Sequence, residues 1–353
     1  MREQLTKEAI NLLKGLISKQ SFSGEENETA LLIMQWFSTH DIKFESENHN
    51  IWAKNKYFDP LKKTILLNSH HDTVKPNKGY TRDPLLPEEI EGKLYGLGSN
   101  DAGGCLVSLI ATFTYFYECK DLEYNLVIVA SAEEENSGPN GLNSMLEIIP
   151  TIDFAIVGEP TLMQLAIAEK GLLVLNCEAI GVSGHAAHGL GDNAIYKAIK
   201  DIQWFNSYEF PKVSETLGKM KMTVTQIEAG NQHNVIPASC KFVVDVRVTD
   251  AYTNQEVLDI VQSHVNSKVE ARSLRLNSSS IPKEHPIVLS GITLGRKTYG
   301  SPTLSDQAAL SCPSLKLGPG DSFRSHTADE FIYVNEIVEG VDLYIKILEK
   351  ILK

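Results

Sequence analysis

Three short apolar runs of this chain each end at a histidine or a carboxylate, and this repeated pattern constrains the fold more than any other feature. The runs are TILLNS (64–69), NLVIVASA (125–132) and FAIVG (154–158), and each is bounded by polar residues. Continuous apolar runs of this length indicate strands that helices cover on both faces. The pattern therefore predicts an α/β domain with a largely parallel, helix-covered sheet.

The rhythm of the sequence changes near residue 172. From there the apolar segments read strand, helix, strand, strand, helix, strand, which is the order of the ferredoxin-like α+β motif. The segments are LLVLNCEAIG, NAIYKAIKDIQWF, KMTVTQIEAG, KFVVDVRV, NQEVLDIVQSHV and VEARSLRL. A chain of 353 residues also exceeds what one core usually organises. We therefore predict a domain at 172–285 that is inserted into a first domain made of 1–171 and 286–353.

Charge and cysteine content exclude several classes of function. A formal net charge of -12 and a pI near 5.4 argue against nucleic acid or a membrane as the main partner. The 5 cysteines are scattered without a C-x-x-C pair, so neither a disulfide framework nor a structural zinc knuckle is expected. The first 20 residues are unlike a signal peptide, and no run is long enough to span a membrane. We expect a cytoplasmic protein with a small-molecule partner.

One helix start is predicted from a local signal. Ser23 is followed three residues later by Glu26, just before the apolar run TALLIMQWF. This spacing is typical of a capping box, so a helix is predicted to begin near Gly24.

The polar residues after the three runs are those that bind metals. His70 and Asp72 follow the first run, three glutamates at 133–135 follow the second, and Glu159 follows the third. In open α/β sheets ligands bind at the carboxyl ends of the strands, so these groups converge in one crevice. Their negative charges would repel one another there unless a cation lies between them. Taken alone, the His-x-Asp pair fits a solvated loop better than a metal site, because this spacing occurs often by chance.

Two further residues complete a candidate metal centre. Asp101 lies in a glycine-rich loop before a helix, where an aspartate is ordinarily an N-cap, and His326 taken alone fits an ordinary loop residue. Two neutral imidazoles, three carboxylates and one bridging hydroxide would hold two divalent cations without net charge. This donor set favours zinc or cobalt over calcium, since calcium sites rarely include histidine.

Five ordered motifs resemble the zinc-dependent aminoacylase and glutamate carboxypeptidase family, which includes acetylornithine deacetylase and succinyl-diaminopimelate desuccinylase. The motifs are HHDTV (70–74), GLGSNDAGG (96–104), SAEEENSG (131–138), VGEPT (157–161) and GPGDSFRSHTADE (318–330). The resemblance covers nearly the whole chain, including the inserted domain. It implies a zinc-exopeptidase-like catalytic domain with an inserted lid or dimerisation domain.

The resemblance also implies a role for each metal-site residue. His70 and Glu159 would bind one cation, Glu135 and His326 the other, Asp101 would bridge the two, and Glu134 would be the general base. The residues alone do not choose among Glu133, Glu134 and Glu135, although neighbouring side chains of an extended segment point in different directions. The resemblance assigns Glu133 a structural role, not a catalytic or metal-binding one. Asp72 would accept the remaining N–H of His70 and fix the tautomer of its ring.

Three residues of the inserted domain match further motifs of the family. His185 and Asn234 would stabilise the oxyanion. In relatives that dimerise through this domain, the matching histidine and asparagine reach the partner's active site. Arg247 would bind the α-carboxylate of the substrate through its planar guanidinium. The alternatives are a surface histidine, a turn residue before Pro237 and a solvent-facing strand arginine. The resemblance implies a homodimer.

The substrate is less constrained by the sequence. Ser305 and Asp306 lie in the loop TYGSPTLSDQAAL (298–310), where they could receive a basic or ureido group. N-acetylornithine is therefore the first choice, which would place the reaction in arginine biosynthesis. Acetylated or succinylated citrulline or ornithine and succinyl-diaminopimelate are alternatives within this class.

Two alternatives lie outside N-acyl amino acid hydrolysis: a di- or tripeptidase, and a family member without activity. The latter would need a lost ligand or base, and none is missing. The stretches at 188–189 and 323–324 depart from the family pattern, which bears on the substrate pocket more than on the metals.

Overall fold

A computed structural model describes all of residues 1–353, and its contacts divide the chain into two compact units. The first unit comprises Met1–Ile167, Ser280–Tyr299 and Ser305–Lys353, and the second comprises Ala168–Ser279 and Gly300–Leu304. Both boundaries lie a few residues before the predicted ones. Within the second unit, the Lys170 N–H donates a hydrogen bond to the Ser301 carbonyl of the short segment 300–304.

Strands and helices are numbered in chain order. The strands are β1 (Phe44–Glu47), β2 (Asn50–Lys54), β3 (Thr64–His70), β4 (Glu88–Ile90), β5 (Lys93–Tyr95), β6 (Asn125–Ser131), β7 (Phe154–Val157), β8 (Leu165–Glu169), β9 (Gly171–Ile180), β10 (Gly184–His185), β11 (Lys221–Ala229), β12 (Val235–Ile236), β13 (Ser239–Val248), β14 (Lys268–Ala271), β15 (Ser279–Ser280), β16 (Thr298–Ser301), β17 (Ser314–Lys316) and β18 (Phe331–Tyr333). The α-helices are α1 (Arg2–Ile17), α2 (Asn27–Thr39), α3 (Gly104–Phe116), α4 (Leu142–Met145), α5 (Ala194–Ser207), α6 (Asn254–His264), α7 (Pro286–Thr293) and α8 (Val334–Leu352).

The first unit is built on a mixed sheet of 9 strands in the order β1-β2-β6-β3-β7-β17-β8-β15, with β16 paired to β8. Strand β3 runs parallel to β6 and β7, and β7 runs parallel to β17. Strands β1 and β2 are antiparallel additions at one edge. The predicted α/β class is confirmed, and the parallel pairing occupies the centre of the sheet. A separate small sheet contains β4, β5 and β18.

Helices cover both faces of this sheet, as the continuous apolar runs predict. Along β3, Ile65 and Leu67 pack into the larger core, whereas Leu66 packs into a second core on the other face. Helix α3 belongs to the larger core and is buried on nearly all sides, because its sequence is apolar around the whole circumference. This packing fixes the strand ends that carry the polar residues.

The predicted start of the second helix is wrong. Helix α2 begins at Asn27, and its first turn has no side-chain cap. The Ser23 hydroxyl instead donates to the Asp72 carboxylate at 2.7 Å, and the buried Glu26 carboxylate accepts the Gly24 N–H at 2.6 Å. Both side chains are therefore engaged by partners outside the helix, so the local capping signal does not apply.

The second unit has the predicted ferredoxin-like fold. Its four-stranded sheet has the order β11-β13-β9-β14, and every pairing is antiparallel. The inward side chains of β9 and β13 form one core with apolar residues of α5 and α6. No helix in either unit combines the length and the apolar character needed to cross a lipid bilayer.

Candidate metal centre

The ends of three neighbouring strands bring the predicted ligands to one edge of the first unit's sheet. In the parallel ladder of β3 and β6, His70 lies opposite Ser131, which is followed by the acidic turn at 133–135. Strand β7, on the other side of β3, ends two residues before Glu159. Because parallel strands end at the same edge, the three segments deliver their polar side chains to one place.

His70, Asp101 and Glu159 form the first of two groups that could each hold a cation. The His70 Nε2 atom lies 3.5 Å from Asp101 Oδ1 and 3.9 Å from Glu159 Oε1. The His70 ring is almost wholly buried, and its Nδ1 atom lies 2.9 Å from the Asp72 carbonyl oxygen. A proton on Nδ1 leaves Nε2 free to face a cation.

The second group consists of Asp101, Glu135 and His326. The His326 Nε2 atom lies 3.0 Å from Glu135 Oε2 and 3.5 Å from Asp101 Oδ2. Asp101 therefore directs one carboxylate oxygen toward each group, and within each group the ligand atoms lie within 4.8 Å of one another. The His326 side chain is 55% exposed, so this half of the centre is open to solvent.

A buried carboxylate holds the backbone around Asp101. Glu330 Oε1 accepts the N–H groups of Asn100 and Asp101 at 2.8 and 2.9 Å, and Glu330 Oε2 accepts that of Gly98 at 3.2 Å. Gly98 has φ +73, and a Cβ atom there would lie 2.5 Å from Thr73 Cγ2, so the turn requires glycine. The turn at 99–103 leads directly into α3, and Asp101 does not cap that helix.

Asp72 holds the acidic turn as well as His70. Its two carboxylate oxygens accept the N–H groups of Glu134 and Glu135, each at 3.1 Å. Its carboxylate also lies 3.3 Å from His70 Nδ1, a longer contact than that of its own carbonyl oxygen. Burial raises the pKa of Asp72, but the hydrogen bond and charge of His70, together with the hydrogen bonds from Ser23 and the Glu135 N–H, outweigh it and bring the pKa to about 2. Asp72 is therefore a carboxylate at neutral pH.

The three glutamates of the turn have different surroundings. Glu133 turns back to accept the N–H and side-chain amide of Asn140, whereas Glu135 faces His326. Glu134 Oε2 lies 3.9 Å from His70 Nε2. Burial and the negative charges of Glu159, Asp306 and Glu135 raise the pKa of Glu134 well above its ordinary value, against the opposing effect of His70.

The electrostatics of the cluster favour a bound cation. Burial and the charge of Asp101 raise the pKa of Glu159 to about 8. Burial lowers the pKa of His70, but hydrogen bonds to Asp101 and Asp72 outweigh it and raise the pKa well above the ordinary value. The hydrogen bond with Glu135 raises the pKa of His326 to about 9. The raised pKa values mean that these side chains retain protons, which offset the negative charge of the carboxylates. A bound divalent cation would neutralise the same negative charge in place of the protons.

The two residues predicted to meet the substrate side chain belong to the first unit. Ser305 is buried and accepts the Gln307 N–H, capping a short turn at 306–309. Asp306 Oδ2 accepts the Ser131 hydroxyl at 2.6 Å, next to the end of β6. Burial raises the pKa of Asp306 to about 6. The negative charge of the Asp306 carboxylate in turn raises the pKa of Glu134.

The other predicted residues belong to the second unit. His185 lies in β10 opposite Val235 of β12, and the Ala186 N–H donates to the Asn234 carbonyl oxygen, so His185 and Asn234 are close together. The His185 and His188 rings lie 4.9 Å apart. Arg247 lies in β13 and contacts the Asp245 carboxylate at 2.9 and 3.1 Å.

Three residues important to the site were not identified from the sequence. Glu330 lies in a quoted motif, but its partners are more than two hundred residues away along the chain. Glu26 was assigned to a helix cap. Lys316 is a buried cation in β17 that lowers the pKa of Glu159, and no sequence motif marks it. No local signal in the sequence marks the role of Glu330, because the backbone that it holds lies at 98–101.

Comparisons with known proteins show which families and relatives the chain is similar to. A family model described as peptidase dimerisation domain matches residues 167–272, and one described as peptidase family M28 matches residues 50–203. The chain is 31% identical to the acetylornithine deacetylase of Proteus mirabilis (strain HI4320), over 92% of this chain and 91% of that protein. It is 26% identical to succinyl-diaminopimelate desuccinylase 2 of Ruegeria sp. (strain TM1040), over 98% of this chain and 96% of that protein.

Solved structures share the fold at lower identity. The M20 family metallo-carboxypeptidase Sso-CP2 from Sulfolobus solfataricus superposes with a TM-score of 0.76 at 16% identity, covering 97% of this chain and 98% of that one. The Bacillus subtilis YXEP protein, titled a dinuclear metal-binding peptidase from the M20 family, has a TM-score of 0.76 at 14% identity, with 99% of each chain covered.

Proposed function

This chain belongs to the M20 family of metal-dependent hydrolases that act on amide bonds, and from that premise we propose that it removes the acyl group from the nitrogen of an N-acyl amino acid. The single observation that carries the proposal is the convergence of two imidazoles and three carboxylates, with Asp101 common to both groups and Glu134 beside them.

The donor set fits two divalent cations. His70 and Glu159 would hold one, Glu135 and His326 the other, and Asp101 would bridge them through its two oxygens. Imidazole and carboxylate ligands together suit zinc, with cobalt as the alternative, and the buried negative charge supports a divalent cation at each position. Zinc is our first choice.

Glu134 is the proposed general base. When bound, two such cations would polarise the amide carbonyl and lower the pKa of a water molecule. Glu134 would accept a proton from that water on its carboxylate and then deliver it to the leaving nitrogen. Asp72 would keep this carboxylate in place, because it holds the Glu134 N–H, and it would also keep the proton of His70 on Nδ1.

N-acetylornithine is the proposed substrate, with ornithine and acetate as products and arginine biosynthesis as the pathway. The relative at 31% identity bears the name acetylornithine deacetylase, and the Asp306 carboxylate lies beside the site, where it would suit a cationic side chain. Acetyl- or succinyl-citrulline, succinylornithine and succinyl-diaminopimelate are the alternatives within the class.

The second unit is proposed to complete the site in a homodimer. Its match to a peptidase dimerisation domain supports self-association. His185 and Asn234, held together by the β10–β12 pairing, would donate hydrogen bonds to the oxyanion of the reacting carbonyl. Arg247 would exchange its contact with Asp245 for the substrate carboxylate.

The substrate assay tests the proposal. Zinc-loaded and chelated enzyme would be given acetylornithine, acetylcitrulline, succinylornithine, succinyl-diaminopimelate and several dipeptides, and the released amines would be identified by mass spectrometry. Metal-dependent release from one acylated amino acid is expected. Release from dipeptides alone would make the protein a peptidase, and complete inactivity with bound metal would indicate a family member without catalysis.

A further inference from the structure

Three successive backbone N–H groups of the acidic turn are held by two carboxylates. Asp72 accepts those of Glu134 and Glu135, and the Glu26 Oε1 atom accepts that of Glu133 at 3.1 Å. Asp72 belongs to the loop that follows β3, whereas Glu26 is the residue before α2. The backbone that carries Glu134 is therefore clamped from two separate parts of the chain.

The turn needs such a clamp because its backbone is strained. Glu133 has φ +54 and Ser137 has φ +51, in the left-handed region that non-glycine residues rarely adopt. A strained backbone conformation persists only where several surrounding contacts hold it in place. The Glu133 carbonyl accepts the Gly138 N–H, a hydrogen bond within the turn itself. The Glu26 carboxylate accepts the Glu133 N–H and so holds the turn from a separate segment of the chain.

Glu26 is built as a fixed anchor and not as a surface residue. Its side chain is 0% exposed, and its Oε1 atom also accepts the Gly24 N–H at 2.6 Å. Its other oxygen lies 3.0 Å from His49 Nδ1, which turns the carboxylate into a defined orientation. The Glu26 carbonyl accepts the Ala30 N–H, so the anchor is continuous with α2. A buried carboxylate with this many partners is held in one position.

We propose that Glu26 is a positioning residue for the general base: it holds the Glu133 N–H and thereby sets the direction in which Glu134 meets the reacting amide. The inference rests on the proposed function, because the role of Glu134 does. Glu26 touches neither a proposed ligand side chain nor the Glu134 carboxylate, so it acts only through the backbone.

Two substitutions separate the hydrogen bond from the volume of the side chain. Glu26→Met keeps a linear side chain but removes the acceptor, and Glu26→Gln keeps an oxygen for the Gly24 and Glu133 N–H groups. Asp153→Ala is the matched control, because Asp153 accepts the Thr64 N–H at 2.8 Å where β3 begins, the opposite end from His70. If Glu26→Met does not fold, Glu26→Asp takes its place, since its shorter side chain does not reach Glu133.

The first readout is turnover of the best substrate by the metal-loaded enzyme. Glu26→Met is expected to lower kcat on the order of 100-fold with KM and metal content little changed, as displacement of a catalytic group by about 1 Å would. Glu26→Gln is expected to restore most of kcat, and Asp153→Ala to leave it unchanged. Loss of kcat in Glu26→Gln as large as in Glu26→Met, or no loss in either, would overturn the inference.

The second readout does not need a substrate. Hydrogen–deuterium exchange of the peptide that covers 131–138 is expected to accelerate in Glu26→Met, and not in Glu26→Gln or Asp153→Ala. Unchanged exchange in Glu26→Met would overturn the inference even if kcat falls. If the wild-type enzyme hydrolyses no acylated amino acid, the proposed function fails, and accelerated exchange would still support the role of Glu26 in holding the turn.

Discussion

The chemistry of the three adjacent glutamates is decided by what each side chain meets. Glu135 faces a histidine, Glu133 folds back on Asn140, and Glu134 remains beside His70 with a raised pKa. Burial and neighbouring carboxylates make the Glu134 carboxyl a stronger proton acceptor than an exposed glutamate. The different surroundings of Glu133 and Glu134 can therefore be tested by making the same substitution at each residue.

Glu134→Gln should abolish most turnover while leaving the metals in place. A glutamine cannot accept the proton of water, so kcat is expected to fall by about 100-fold to 10,000-fold. Glu133→Gln, the same substitution one residue earlier, should keep near-normal kcat. Activity assays with metal analysis by mass spectrometry check both variants, and equal losses of kcat in the two would contradict the assignment.

The stability of the metal-free protein should decrease as the pH rises. The pKa of His326 is raised from 6.5 to about 9 and that of Glu159 from 4.5 to about 8, so the folded chain keeps protons that the unfolded chain has lost. Stability that depends on these protons is present at low pH and is lost as the pH passes through the raised values. Zinc should displace the protons and raise Tm most at high pH.

Thermal unfolding followed by circular dichroism from about pH 6 to about pH 9 tests this linkage. The chelated wild type is expected to lose Tm across this range, and His326→Asn should show a shallower slope. A chelated wild type whose Tm rises with pH would contradict the predicted coupling.

At the residue scale the sequence predicts which side chains converge but not how each is held. His70, Glu135 and Glu159 follow apolar runs, so their place at the strand ends could be inferred. The contact of Glu26 with the acidic turn could not be inferred from the sequence, because the spacing of Ser23 and Glu26 is typical of a helix cap. Their actual partners, Asp72 and Glu133, lie far along the chain.

Among the elements, the turn that carries Asp101 depends on close approach of its backbone to neighbouring residues. Gly98 and Gly92 have almost the same φ, +73 and +76, but only Gly98 has a neighbour where a Cβ would lie. Alanine substitutions at these two positions therefore distinguish the loss of stability caused by the left-handed backbone from the loss caused by a steric clash.

Gly98→Ala should destabilise the protein by about 1 to 3 kcal/mol more than Gly92→Ala, because it adds a steric clash with Thr73 to the same backbone strain. Because Asp101 follows three residues later, Gly98→Ala should also weaken metal binding, whereas Gly92→Ala should not. Chemical denaturation and zinc titration measure the two effects. Equal stability and equal zinc affinity of the two variants would refute this account of the turn.

The strands and helices themselves were largely predictable. The runs at 64–69, 125–132 and 154–158 became β3, β6 and β7 with ends within one residue, because their apolar character reflects burial on both faces. The antiparallel edge strands and the irregular turn at 99–103 were not predicted. They depend on contacts between distant segments, such as those of Glu330 with the backbone at 98–101.

For the whole molecule, the second unit presents apolar side chains that a monomer would leave in water. Ile180, Val182, Tyr196 and Ile227 are 61%, 60%, 67% and 58% exposed, and β11 is an unpaired edge of its sheet. Exposed apolar residues beside an open strand edge are typical of an association surface.

Tyr196→Glu with Ile227→Lys should convert a homodimer to a monomer and lower kcat, if His185 and Asn234 act in the partner's site. Leu61→Lys, at a 94% exposed leucine of the first unit, is the control and should leave both unchanged. Light scattering during size-exclusion chromatography measures the mass. A wild-type monomer, or a monomeric variant with full activity, would contradict the dimer proposal.

Zinc added back stepwise to chelated enzyme, with release of free amine from the best N-acyl amino acid measured at each step, tests the central claim most directly. Two cations held by five side chains, with Asp101 shared between them, predict that release appears only with metal and reaches its maximum at two equivalents. They also predict that Glu134→Gln binds the same zinc without release. Release that persists without metal, or zinc binding that supports no release from any acylated amino acid, would contradict it.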